Sequence, residues 1–101
     1  MQLDEILTPG LCQAKLTGVS KKRVLTNVSE LVAQQNELLK ADEIFNALVA
    51  REQLGSTGLG DGIAIPHCRV SCCQKIVGAL ITIDNPIDFD SVDGKPVDIL
   101  F

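Results

Sequence analysis

Gly55-Ser56-Thr57-Gly58-Leu59-Gly60-Asp61-Gly62-Ile63-Ala64-Ile65-Pro66-His67 is the stretch around which the chain is organised. Four glycines and two hydroxyls lead to the only histidine in 101 residues, and Arg51 stands just upstream. Glycines let backbone N–H groups approach an anion closely. Hydroxyls and a guanidinium can hold phosphate oxygens. An imidazole is a nucleophile at neutral pH. Together these are the parts that phosphoryl chemistry on a histidine requires.

Upstream of this stretch the pattern is mainly helical. Ala41 to Gln53 carries Ile44, Phe45, Leu48 and Val49 as an apolar stripe, with Asp42 and Glu43 at its positive N-terminal end. Arg51 falls in the last turn of this predicted helix, and Gly55 stops it. From Lys21 to Gln35, Val24, Leu25, Val28, Leu31 and Val32 recur at helical spacing. Ser20 is a good N-cap for that helix, and Asn36 is expected to end it. Further upstream, Leu11 to Leu16 alternates and reads as a half-buried strand, with Cys12, Ala14 and Leu16 on one face. Gly18 breaks it.

Downstream the pattern is that of strands. Ile63-Ala64-Ile65 is a short strand before Pro66. Ile76 to Ile83 is apolar on both faces and reads as a central strand covered on both sides. Asn85-Pro86 and Asp93-Gly94 are turn signals. Val97 to Phe101 starts another strand. Strands interleaved with two helices predict a single α/β domain, a mixed sheet flanked by helices.

Composition narrows the function. Aromatic content is 3%, with no Trp or Tyr, so stacking platforms for single-stranded nucleic acid are not expected. A net charge of −4 argues against a nucleic-acid surface and for a basic partner. No apolar run is long enough to span a membrane, and no secretory leader is visible. Cys12, Cys68, Cys72 and Cys73 lack the spacing of a disulfide framework, which points to reduced thiols in a cytoplasm.

Each chemical signal also has a plainer reading. His67 could be a hydrogen-bonded structural histidine. Arg51 could stabilise the helix C-terminus or pair with Glu52 or a nearby acid. Ser56 and Thr57 could form a turn with Gly55 and Gly58. Ile63, Ile65 and Leu59 suit an apolar docking rim or the core equally. Other motifs fail on spacing. A nucleotide P-loop needs Lys and a hydroxyl residue after the glycines, where this chain has Ile63. The glycine offsets do not suit a dinucleotide fold. Cys72-Cys73 beside His67-Cys68 cannot easily chelate a tetrahedral zinc. The run from Asp88 to Gly94 lacks the order and closing Glu of a calcium loop. No third group is indicated that would make Cys68 and His67 a protease pair.

Taken together, Arg51-Glu52, Gly55-Ser56-Thr57-Gly58 and Gly62-Ile63-Ala64-Ile65-Pro66-His67 resemble the phosphorylation site of the mannitol/fructose-type enzyme IIA domains of the bacterial phosphoenolpyruvate-dependent phosphotransferase system, especially the nitrogen-regulatory subgroup. Ser20-Lys21-Lys22-Arg23, Pro86-Ile87-Asp88-Phe89 and Pro96 to Phe101 add to the likeness. It covers nearly the whole chain. It implies an α/β sandwich of which residues 1–101 are the N-terminal two thirds or so. Family domains continue with more sheet, a second histidine near the site and further helices. Cys68 stands where the family often has a small residue.

The resemblance implies a regulatory phosphocarrier. His67 would accept a phosphoryl group from a histidine-containing phosphocarrier, Arg51 would neutralise the phosphate, and Ser56 and Thr57 would add hydrogen bonds. No metal or organic cofactor is implied. The protein would be a phosphotransferase component, not a turnover enzyme on a small substrate. Its further partners would be regulated proteins or an enzyme IIB; the alternative is a sugar-transport enzyme IIA passing phosphate to an enzyme IIB. If the chain ends at Phe101, an uncovered apolar edge is expected, and with it self-association or a stability lower than that of the complete domain.

Overall fold

The computed structural model describes residues 6–17, 20–70 and 76–101. After a short 3-10 turn at Pro9–Leu11, the elements in chain order are β1 (Cys12–Leu16), α1 (Lys21–Gln34), α2 (Ala41–Gln53), β2 (Gly58–Gly60), β3 (Ile63–Ala64), β4 (Leu80–Ile87) and β5 (Val97–Leu100). The strands form one mixed sheet in the order β1-β4-β5-β3-β2. β1 runs parallel to β4 and β3 parallel to β5, while β4/β5 and β2/β3 are antiparallel.

The helices form where the sequence predicts them. Ser20 caps α1, its Oγ accepting from the Arg23 N–H at 3.2 Å. α1 ends at Gln34 with Gln35 as its C-cap, so Asn36 lies just beyond. Asn36 instead accepts from the Leu38 N–H, turning the chain toward α2. Asp42 and Glu43 occupy the first turn of α2, and Arg51 its last. Val24 and Leu25 of α1 and Ile44 and Leu48 of α2 pack with Ile81, Ile83, Leu100 and Ala64 of the sheet in one core. Phe89 and Val97 complete it, both fully buried.

The strands depart from expectation in three places. β4 begins at Leu80 rather than Ile76, and it alternates: Ile81 and Ile83 are buried, whereas Leu80 and Thr82 are exposed. Side chains of a strand point alternately to opposite faces, and the helix pair covers one face of this sheet. Ile99 and Ile63 lie with Thr82 on the other, exposed face. Asn85-Pro86 is no turn but lies inside β4. Pro86 is accommodated because the β4/β5 pairing is irregular between Thr82 and Ile87. In β1, Leu16 alone is buried, and Cys12 and Ala14 are exposed. Lys15 has φ +56°, and the register with β4 shifts there, so simple alternation is lost.

Asp93-Gly94 is a turn as read, with Gly94 at φ +73° and its N–H bonded to the Ser91 carbonyl. Gly18, Cys72 and Cys73 lie outside the described residues.

Candidate phosphoacceptor site

The site lies where the C-terminus of α2 meets the loop after β3. α2 presents Arg51, and its C-cap Leu54 leads into the glycine segment. That segment makes the β2 strand, turns through Asp61 and Gly62, and returns as β3. Gly62 has φ +81°, a conformation that L side chains rarely adopt. Its carbonyl accepts from the N–H groups of Asp98 and Ile99, fixing the turn to β5. Asp93 adds a second tether, its Oδ2 accepting from the Asp61 N–H at 2.9 Å. Backbone hydrogen bonds from Asp61 and Lys95 hold the Asp93 carboxyl below its usual range. Two acids of the 88–94 run thus cap turns, Asp88 likewise accepting from the Asp90 N–H.

His67 is exposed, three residues past β3. Its two ring nitrogens have different partners. Nδ1 lies 3.0 Å from the Ile65 carbonyl oxygen. Nε2 lies 3.2 Å from Arg51 Nε. A carbonyl cannot donate and a guanidinium cannot accept. The proton is therefore assigned to Nδ1, and the lone pair sits on Nε2, facing Arg51. This is a neutral imidazole with its nucleophilic nitrogen pointed at a fixed cation.

Arg51 divides its nitrogens between two tasks. Nη1 donates to the Gly55 carbonyl at 2.9 Å, closing the end of α2, as a helix-terminal cation does. Nε turns to His67. Among the ion pairs of the described residues, Arg51 does not pair with Glu52; that carboxylate is held by Lys21 at 2.7 Å.

Ser56 and Thr57 lie in the same turn, but their hydroxyls point elsewhere. Ser56 Oγ donates to the Phe89 carbonyl and accepts from the Gly58 N–H. Thr57 is buried, and its Oγ1 donates to Glu52 Oε1. The structure brings His67 and Arg51 into contact and shows no hydrogen bond from either hydroxyl to them. Leu59, Ile63 and Ile65 are all exposed beside the turn, as the docking-rim reading requires and the core reading does not.

Three contributors were not singled out from sequence: Glu52, Lys21 and the backbone of Ile65. Glu52 and Lys21 do stand within motifs that stood out, but pairing across so many residues leaves no periodic signal. Burial raises the Glu52 carboxyl, yet hydrogen bonds from Lys21 and Thr57 outweigh it and hold the group below its ordinary value. Cys12 and Cys68 are outside any disulfide. No cluster of His, Cys, Asp or Glu among the described residues could hold a metal ion. Their helices include none long and apolar enough to cross a membrane. Beside His67 opens a cavity of about 980 Å³, lined largely by apolar residues including Leu48, Pro66, Ile81 and Leu100.

Residues 5–101 match the family described as phosphoenolpyruvate-dependent sugar phosphotransferase system, EIIA 2. The chain belongs to that EIIA family. It is 54% identical over 101 residues to a nitrogen regulatory protein of Pseudomonas aeruginosa, covering all of this chain and 66% of that protein. The fold agrees with a crystal structure of nitrogen regulatory protein IIA-Ntr from Neisseria meningitidis. The TM-score is 0.92 at 39% identity, over 98% of this chain and 67% of that one. Enzyme IIAMTL of Escherichia coli, solved in complex with phosphorylated enzyme IIBMTL, shares the fold at a TM-score of 0.73 and 14% identity, over 94% of this chain and 68% of the other. The mixed sheet with its helix pair is thus the EIIA architecture, and the chain spans about two thirds of the length of these relatives.

Proposed function

We propose that this chain is a regulatory phosphocarrier of a bacterial phosphoenolpyruvate-dependent phosphotransferase system, acting in the cytoplasm. His67 accepts the phosphoryl group on Nε2 from a histidine-containing phosphocarrier. The single observation that carries this is the paired arrangement of the imidazole, with Nδ1–H on the Ile65 carbonyl and the Nε2 lone pair against Arg51.

The step follows from that geometry. The donor's N–P bond breaks as the Nε2–P bond forms, in line, and the donor nitrogen leaves with the electron pair. His67 keeps its Nδ1 proton on Ile65. Arg51 Nε–H loses its acceptor as Nε2 bonds to phosphorus, and the same donor turns to an equatorial phosphate oxygen. Such transfer consists mostly of positioning and charge stabilisation. Arg51 supplies the cation. Ser56 and Thr57, with hydroxyls already engaged, contribute the shape of the turn. No metal or organic cofactor takes part. The phosphorylated and free forms would then signal to regulated proteins by contact.

The 54% identity to a nitrogen regulatory protein supports the regulatory reading over a sugar-transport enzyme IIA. The alternative, passage of phosphate to an enzyme IIB, rests on the fold shared with enzyme IIAMTL. The test is incubation with phosphoenolpyruvate, enzyme I and the phosphocarrier. The expected product is an acid-labile, base-stable phosphoprotein, absent in His67→Ala. Equal labelling of that variant would overturn the assignment.

A further inference from the structure

We propose that Glu52 is a positioning residue for the phosphoacceptor, acting through Thr57 and Ile65 on the tautomer of His67. The proposal rests on His67 being the phosphoacceptor, and its central observation is a continuous series of hydrogen bonds. Lys21 Nζ meets Glu52 Oε2 at 2.7 Å. The Glu52 carboxylate accepts from both the N–H and the hydroxyl of Thr57. The Thr57 carbonyl accepts from the Ile65 N–H at 3.0 Å. The Ile65 carbonyl accepts from His67 Nδ1 at 3.0 Å.

Each link restricts the next. The Glu52 side chain is 6% exposed, so its charge must be matched inside the protein. Lys21 matches it from the first turn of α1, and the Lys21 ammonium also lies 4.7 Å from the centre of the Phe89 ring. Phe89 in turn takes the Ser56 hydroxyl on its carbonyl. The segments around Lys21 and Phe89, far from His67 in sequence, thus converge on the Ser56-Thr57 turn. With Thr57 seated, its carbonyl direction is fixed, and so are the Ile65 peptide and the acceptor that His67 Nδ1–H meets.

This matters because a neutral imidazole has two tautomers, and its hydrogen-bond partners select between them. With Ile65 in place, the proton stays on Nδ1 and the lone pair faces the incoming phosphorus. A displaced Ile65 carbonyl lets the proton move to Nε2, and the nucleophile then points away from Arg51. Glu52 also neighbours Arg51 on the last turn of α2, so an inward Glu52 sets the direction in which Arg51 leaves the helix. Glu52 need not touch phosphate to govern its transfer.

The experiment uses the 101-residue chain with 15N-labelled histidine. It reads the imidazole nitrogen shifts of His67 and, in parallel, the kinetics of phosphotransfer from the carrier. Wild type is expected to show the Nδ1–H form. In Glu52→Gln and Thr57→Val the two nitrogens move toward averaged shifts. In both variants kcat falls by roughly ten- to a hundredfold, with KM for the carrier unchanged. Thr57→Ser keeps the hydroxyl and restores both readouts. Lys21→Met, at a partly exposed position, shows the same change in smaller degree and serves if Glu52→Gln fails to fold. Folded Glu52→Gln or Thr57→Val with the wild-type imidazole spectrum would overturn the proposal. If wild type accepts no phosphate, the phosphoacceptor reading fails, while the imidazole spectra still decide whether Glu52 sets the tautomer.

Discussion

At the scale of single residues, the pair Arg51 and His67 was visible in the sequence. Both are named by residue type and spacing within one segment, and the chain has no other histidine. What their spacing could not give is the division of labour. Arg51 satisfies the plain reading, closing the helix on the Gly55 carbonyl, and the chemical one, facing His67 Nε2, with different nitrogens. Arg51→Ala is therefore expected to slow phosphotransfer strongly, while lowering stability by about 1 kcal/mol, the loss of one exposed helix-end hydrogen bond. Arg51→Lys should restore stability better than transfer, because a point charge cannot serve both contacts with one planar group. Rapid-quench labelling beside urea unfolding measures the two separately. Wild-type transfer in Arg51→Ala would leave the helix-closing role alone. By residue type Ser56 and Thr57 suit phosphate oxygens. Their partners, the Phe89 carbonyl and Glu52, are set by tertiary approach, which no local pattern records.

At the scale of elements, the helices were legible because each carries a long apolar stripe and a cap or dipole signal. The strands were less so. An apolar run such as Ile76 to Ile83 does not reveal which face is covered, and Pro86 reads as a break until the irregular pairing around it is seen. The β2–β3 turn makes a sharper demand than either. At Gly62 φ is +81°, and an added Cβ would lie 2.9 Å from Asp98 Oδ1. Both the left-handed backbone and the close carboxylate oppose a side chain. Gly62→Ala is expected to lose roughly 1–3 kcal/mol in chemical denaturation. It should also disturb the Asp98 and Ile99 N–H bonds to the Gly62 carbonyl, visible as faster amide exchange at those two positions. Wild-type stability in this variant would mean that the turn relaxes without strain.

At the scale of the whole molecule, Glu52 joins parts that are distant in sequence. Its carboxylate ties the start of α1 through Lys21, the end of α2 on which it stands, and the turn into β2 through Thr57. The same residue then links stability to pH. Burial opposes its charge, but the hydrogen bonds from Lys21 and Thr57 prevail and keep the folded-state value below the ordinary 4.5. A carboxyl depressed on folding contributes stability that is fully present above its unfolded value and is lost as pH falls through the folded one. The chain is thus expected to be constant in this contribution at neutral pH and to weaken below about pH 4.5. Glu52→Gln removes the titration. It should lower stability by about 1–3 kcal/mol at pH 7, the scale of hydrogen bonds to a charged group, and should narrow its gap to wild type as both are acidified. Unfolding curves of the two proteins from pH 7 to pH 3 measure this directly. A gap that stays constant across that range would mean that the Glu52 charge is not what binds the two helices to the turn.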